Sequence, residues 1–198
     1  AEASATGTTL VFDEVYWGTE RYEPKVSVAQ AAADENFVSV SGLSKTYGLP
    51  GLRIGWVATG SRRLSDRVWS VKDYTSIAPP VLSDSIAAEL LSNRELVSRL
   101  RERARRIVGE NLRTLMNAVP GGGLLEPQVG GAGAYAWIRV PWATDTLGLS
   151  YSVYRRSGIL LAPGECFGVG GYIRLGLGLK PDSFRGAVVE LVSVLEGV

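Results

Sequence analysis

The stretch SGLSKTYGLPGLRIGW (41–56) holds one lysine, Lys45, among small residues, and one arginine, Arg53, among glycines and apolar side chains. A segment otherwise composed for burial carries two cations, and the fold turns on why. A lysine flanked by Gly42 and Gly48 is either a surface residue in a turn or an amine held in a cleft where it can attack a carbonyl. The triplet Ser44-Lys45-Thr46 does not belong to a phosphate-binding P-loop. That loop needs glycine immediately before the lysine and again five positions earlier, where Ser44 and Ser39 stand.

Upstream, TTLVFDEVY (8–16) reads as a buried strand, Leu10-Val11-Phe12, running into Asp13 and Glu14. An apolar run that ends in an acid is the pattern of a parallel strand delivering a side chain at its C-terminal edge. VSVAQAAADE (26–35) has helical character, and NFVSVSG (36–42) and LRIGWVATG (52–60) read as two more strands. Strand, helix and strand at these distances predict an α/β layer. Side chains at the C-terminal ends of parallel strands converge on one crevice, which associates Asp13 with the Lys45 segment. Arg53 has no acidic neighbour in sequence, and a guanidinium so placed suits a phosphate. Ser44 adds a hydroxyl beside the lysine. A carboxylate, an amine and a phosphate grip together match pyridoxal 5'-phosphate.

Downstream, SRRLSDRVWSVKDY (61–74) is helical with Ser61 as its cap, and the prolines of TSIAPP end it. Residues 83–119 read as one long helix. Its arginine run, 99–106, alternates with Glu102 and an apolar stripe, which predicts a solvated face rather than a nucleic-acid patch. Beyond PGGG (120–123), AYAWIRV (134–140), ILLAPG (159–164) and YIRLGLG (172–178) read as strands. Residues 146–158 and 180–198 read as helices, the first ended by Gly158. The expected domains are 1–82, part of a large α/β domain; 83–119, a connecting helix; and 120–198, a small α+β domain.

Composition narrows the chemistry. The 198 residues are 45% hydrophobic and 21% charged, with a net charge of +1, so no global field recruits nucleic acid or a membrane surface. The sequence has no histidine, which removes imidazole acid–base steps and histidine metal ligands. Its one cysteine, Cys166, allows no intrachain disulfide and fits a reducing, cytoplasmic setting. The start, AEASATGTTL, does not read as a signal peptide, and no metal site is expected.

DEVYWG (13–18), SGLSKTYGLPGLRIGW (41–56), LLAPGECFG (160–168) and YIRLGLG (172–178) together resemble the class I/II aminotransferases, fold type I of the pyridoxal-phosphate enzymes. The resemblance implies part of the mainly parallel large-domain sheet and a C-terminal small domain. It implies Lys45 as the Schiff-base lysine and proton shuttle, and Asp13 as partner of the pyridine nitrogen. Tyr16 stands near the cofactor's 3′ oxygen, Ser44 and Arg53 on its phosphate, and Arg174 on the substrate's α-carboxylate. Glu14 is expected to be structural. The implied reaction moves an amino group from an L-amino acid to a 2-oxo acid, in a homodimer. The same site also permits a lyase, decarboxylase or cyclase, and a non-catalytic sensor domain remains an alternative from another class.

The sequence departs from the family pattern in two ways. Gly42 stands where many relatives have Ser or Thr, three residues before the lysine. Relatives are also about twice as long, the additional part lying upstream of Asp13. These 198 residues alone are therefore expected to be inactive, with an incomplete sheet and half a pocket.

Overall fold

β-Branched and aromatic residues build β1 (Leu10–Asp13) and β2 (Phe37–Gly42), which pair in parallel from Leu10↔Phe37 to Asp13↔Val40. The chain returns as β3 (Gly55–Thr59), antiparallel to β2 from Gly42↔Gly55 to Val38↔Thr59. A connection this short, with only a 3-10 turn at Pro50–Leu52, favours the antiparallel return over a crossover. The described sheet has the order β1-β2-β3. The computed structural model describes residues 5–23, 25–31, 36–119 and 123–197. The chain divides into two compact units, Ala1–Ala104 and Arg105–Val198.

In the first unit the core is Leu43, Tyr47, Ala87 and Leu90, with Leu49, Leu52, Trp56, Leu96 and Leu100 packed around them. It therefore sits on the link between β2 and β3. β1, expected to be buried, lies outside it: Leu10 is 36% exposed and Val11 66%. Among the described residues β1 pairs with β2 alone and stands at an edge of the sheet. Of the helix expected over 26–35, Val28–Ala31 form a 3-10 turn, and 32–35 lie outside the described residues.

Helix α1 (Arg62–Thr75) begins at Ser61, whose hydroxyl accepts from the Leu64 N–H at 3.4 Å. The helix expected over 83–119 is two. α2 (Val81–Ser92) follows Pro80, and α3 (Arg94–Ala118) begins after Asn93. Asn93 is extended, and its Oδ1 accepts from the Leu96 N–H at 3.0 Å. An asparagine side chain that satisfies a backbone donor of the next helix gives the chain a reason to break there.

The second unit contains an antiparallel sheet of β4 (Glu126–Gln128), β5 (Tyr135–Arg139), β6 (Ala162–Pro163) and β7 (Tyr172–Gly176), in the order β4-β5-β7-β6. Its inward face is Ala136, Ile138 and Ile173, each fully buried. The alternate face carries Tyr135, Trp137, Tyr172 and Arg174, as the period of two requires. Helix α4 (Thr146–Ser157) covers the core with Leu149 and Val153, and ends at Gly158 with φ 73°. Helix α5 (Pro181–Glu196) adds Phe184, Val188, Leu191 and Leu195, a spacing that puts all four on one face. Asn111 of α3 is fully buried, and its Nδ2 donates to Leu177 O (2.9 Å) and Leu179 O (2.8 Å), tying the link before α5 to the helix.

Candidate functional site

Parallel pairing puts the C-terminal ends of β1 and β2 at the same edge of the sheet. Asp13 is the last residue of β1, and Tyr16 lies in the turn that follows. Ser44 and Lys45 follow the end of β2 at Gly42 by two and three residues. Because β3 is antiparallel, its start lies at that same edge, opposite Gly42, and Arg53 precedes it by two residues. Topology thus brings Asp13, Tyr16, Ser44, Lys45 and Arg53 to one edge. Arg174 lies on β7 of the second unit.

Each side chain at the edge has a defined setting. Asp13 is exposed, and its Oδ1 accepts from the Val15 N–H at 3.1 Å, leaving Oδ2 uncommitted by that turn. Arg53 is exposed, its Nη1 donates to Pro50 O at 2.9 Å, and its backbone is left-handed, φ 57° and ψ 35°. Such a conformation is costly for a residue with a Cβ, and non-glycine residues held in it cluster at functional sites. Lys45 is exposed, whereas its neighbours Leu43, Thr46 and Tyr47 are 0%, 1% and 4% exposed.

Those neighbours fix the lysine loop. Thr46 Oγ1 lies within donating distance of two carbonyls of the turn after β1, Val15 O (3.1 Å) and Trp17 O (3.0 Å). Leu43 N–H donates to Ile54 O, and Gly48 N–H to Lys45 O, each at 3.0 Å. Tyr47 is held from α3: Arg101 Nη2 donates to its hydroxyl at 2.8 Å, and Arg103 Nη2 to its carbonyl at 3.1 Å. The Arg101 guanidinium also lies over the Trp17 ring, 4.0 Å from its centroid. Gly18, at φ 94°, makes room: a Cβ there would stand 3.1 Å from Arg101 Cδ and 3.2 Å from Thr46 Cγ2.

The solvated face expected of the arginine run is thereby corrected at Arg101, which clamps the lysine loop; Arg103 stays exposed while donating to it. A signal exists in the sequence. Arg101 stands in the register of Val97, Ala104 and Val108, inside the apolar stripe of the helix rather than opposite it. Thr46 and Tyr47 carry no such signal, because nothing local distinguishes a threonine or tyrosine that bonds to a distant segment.

Glu14 belongs to the scaffold. Its carboxylate accepts from Ser39 Oγ, Ser27 Oγ (2.8 Å) and Val28 N–H (2.9 Å). Burial pushes the Glu14 carboxyl upward, but the Ser39, Val28, Ser27 and Ala29 donors together outweigh it. The pKa lies below the ordinary carboxylate value.

The Gly42 departure has a steric reason. Gly42 pairs with Gly55, and a Cβ on Gly42 would stand 2.9 Å from Ile54 O. Ser41 offers no replacement donor in this conformation, since its hydroxyl donates to Glu14 O at 3.0 Å.

In the second unit Arg174 is exposed on the outer face of the sheet, opposite Trp137. Its guanidinium carbon lies over Phe167 (4.7 Å to the centroid) and Tyr135 (5.6 Å). Among the described residues no group of three or more acidic or sulfur side chains is placed to hold a metal ion.

The chain as a whole is similar to known proteins. The family of class I and II aminotransferases matches residues 2–191. Capreomycidine synthase of Streptomyces vinaceus is 31% identical over 155 residues, covering 77% of this chain and 39% of that protein. The aspartate/prephenate aminotransferase of Thermus thermophilus is 25% identical over 186 residues, covering 94% and 48%. A PLP-dependent aminotransferase from Streptococcus suis superposes with a TM-score of 0.86 at 28% identity, over 98% of this chain and 50% of that one. The alpha-aminoadipate aminotransferase of Thermus thermophilus shares the fold, with a TM-score of 0.83 at 21% identity over 99% and 52%. The chain therefore spans about half the length, or less, of these relatives. With the family matched over nearly its whole length, the chain belongs to the class I and II aminotransferases, enzymes of the α/β fold type I.

Proposed function

We propose that this chain is the Lys45-bearing part of a pyridoxal-phosphate-dependent aminotransferase that moves an amino group from an L-amino acid to a 2-oxo acid. The observation that carries the reading is the arrival of Asp13, Ser44, Lys45 and Arg53 at one edge of one sheet. The donor set fits the cofactor: a primary amine for its carbonyl, a carboxylate for its ring nitrogen, a hydroxyl and a guanidinium for its phosphate. When bound, pyridoxal phosphate supplies an electron sink that lets a bond at an amino acid's Cα break heterolytically.

The chain's own residues do the rest. Lys45 Nζ would hold the carbonyl carbon of the cofactor and, once displaced as a free amine by the substrate's amino group, would move the proton at Cα. Asp13 keeps a proton on the ring nitrogen, with Oδ1 already oriented by the Val15 N–H. Tyr16 donates to the 3′ oxygen. Ser44 and Arg53 bind the phosphate, and Arg174 binds the substrate's α-carboxylate, a planar anion suited to a guanidinium fork. The burial of Thr46 and Tyr47 would keep the lysine loop in place with the cofactor bound.

The test is the absorbance spectrum with added pyridoxal phosphate, then borohydride reduction and peptide mass mapping, for parent and Lys45→Ala. A reduced label on Lys45 supports the reading. A label on another lysine, or none even in a chain extended by the upstream part of a relative, overturns it. The assembly we propose is a cytoplasmic homodimer, for which light scattering is expected to give twice the chain mass. Among the described residues no helix is long and apolar enough to cross a membrane.

A second reading rests on one relative, capreomycidine synthase, whose name is that of a synthase rather than an aminotransferase. Product analysis separates the two. Transamination yields a 2-oxo acid and an aminated acceptor in equal amounts, whereas a lyase, decarboxylase or cyclase needs no acceptor.

A further inference from the structure

We infer that Phe167 and Tyr135 are positioning residues for Arg174, a ring clamp that holds its guanidinium ready for a carboxylate. The inference rests on the proposed role of Arg174 in binding the substrate's α-carboxylate.

Arg174 is exposed, yet among the described residues its guanidinium has no hydrogen bond or ion pair; its contacts are with the two rings. A guanidinium attracted to a ring through its charge keeps its N–H donors available. An exposed arginine on a strand otherwise samples many rotamers, and ordering it at the moment of binding weakens affinity. Two rings that restrict it beforehand remove part of that cost.

Both rings are themselves secured. Tyr135 is on β5, paired with Gly176, one diagonal step from Arg174 on the same sheet face. Phe167 ends the 3-10 turn Gly164–Phe167, which closes at Gly168 with φ 76°. That turn admits no side chain at Gly164, where a Cβ would collide with the carbonyl oxygens of Val169 and Tyr172. Its Glu165 carboxylate accepts from Thr146 N–H (2.8 Å) and Thr146 Oγ1 (2.6 Å), anchoring the turn to the start of α4. The Phe167 ring meets Trp137 edge-on at 5.4 Å, and Trp137 stacks on Tyr172 at 5.5 Å with a 16° interplanar angle. A rigid turn and a chain of rings therefore stand behind the contact on Arg174. The sheet does not require this: its buried face is complete without any of these rings.

The experiment measures binding of butyrate, a carboxylate with no amino group to react, to the cofactor-loaded enzyme by calorimetry. It is paired with KM and kcat for an amino acid substrate. Phe167→Leu is expected to weaken butyrate about fivefold, and Tyr135→Leu about threefold, each loss appearing in KM rather than kcat. Phe167→Tyr, which keeps a ring, is expected to restore binding, and Arg174→Ala to abolish it. If both leucine variants bind butyrate as tightly as the parent while Arg174→Ala does not bind, the clamp is refuted and the role of Arg174 stands. If Arg174→Ala binds as tightly as the parent, the carboxylate role itself fails and the clamp falls with it.

Discussion

Arg101 donates from Nη2 to the hydroxyl of Tyr47 at 2.8 Å, linking α3 to the loop that carries Lys45. Tyr47 is 4% exposed, so its hydroxyl has little access to water if that donor is lost. Leaving such a group unpaired costs about 1–3 kcal/mol, and the contact with Trp17 adds about 1 kcal/mol. Arg101→Leu is therefore expected to lower unfolding stability by about 2–4 kcal/mol in urea titration. Arg101→Leu and Tyr47→Phe should be strongly non-additive, because each removes the same bond. Additive losses would show that the bond contributes nothing to holding the loop.

A serine at position 42, the residue type many relatives carry there, is expected to harm rather than help. Its Cβ would stand 2.9 Å from Ile54 O, a backbone atom that must shift with the start of β3. Overpacking of this kind costs about 1–3 kcal/mol. Gly42→Ser should lower the melting temperature and, by displacing the Ile54 segment beside Arg53, weaken pyridoxal phosphate. Tighter cofactor binding in this variant would mean that a hydroxyl at 42 reaches the phosphate after all.

Glu14 sets an acid limit on the first unit. Its folded pKa is depressed, so it stabilises the fold fully above the unfolded value, near the ordinary 4.5. That contribution is lost as pH falls through the lower folded value. Glu14→Gln should leave a weaker protein at neutral pH, with less further loss between about pH 5 and the folded pKa. Urea midpoints across that range test it; parallel acid limbs for parent and variant would assign the loss to other carboxylates.

The parts legible in sequence are those whose cause is local. Ser61 and Gly158 announce helix ends because a cap and a left-handed stop act within one turn. The positions of Asp13 and Lys45 at strand ends are legible because Asp13 closes one apolar run and Lys45 follows another. What is not legible depends on distant chain. The exposure of Leu10 and Val11 follows from which layers cover β1, which its own alternation does not record. β4 is too short for a period to develop, and the strand expected over 159–164 is present only as the two residues of β6. Asn93 is readable as a helix start, but the apolar stripe on both sides of it suggests continuity. The charge of Arg101 argues for solvent, although its position in the stripe already places it inward.

Arg53 offers a test in which stability and function part. Its backbone is left-handed at φ 57°, where a side chain costs about 1–2 kcal/mol and glycine almost nothing. Arg53→Gly and Arg53→Ala both lose the guanidinium and its bond to Pro50 O, so any difference between them reports the backbone alone. Glycine is expected to be more stable than alanine by about 1 kcal/mol, the reverse of the order in a helix or strand interior. Both variants should lose cofactor affinity by about ten- to a hundredfold if the guanidinium binds phosphate through charged hydrogen bonds. Arg53→Lys, which keeps charge without the fork, should fall between. Melting temperatures and pyridoxal phosphate titrations on the four proteins read both effects. If alanine proves as stable as glycine, the left-handed conformation is not what position 53 adopts in solution. If all three variants hold the cofactor as the parent does, Arg53 plays no part in phosphate binding.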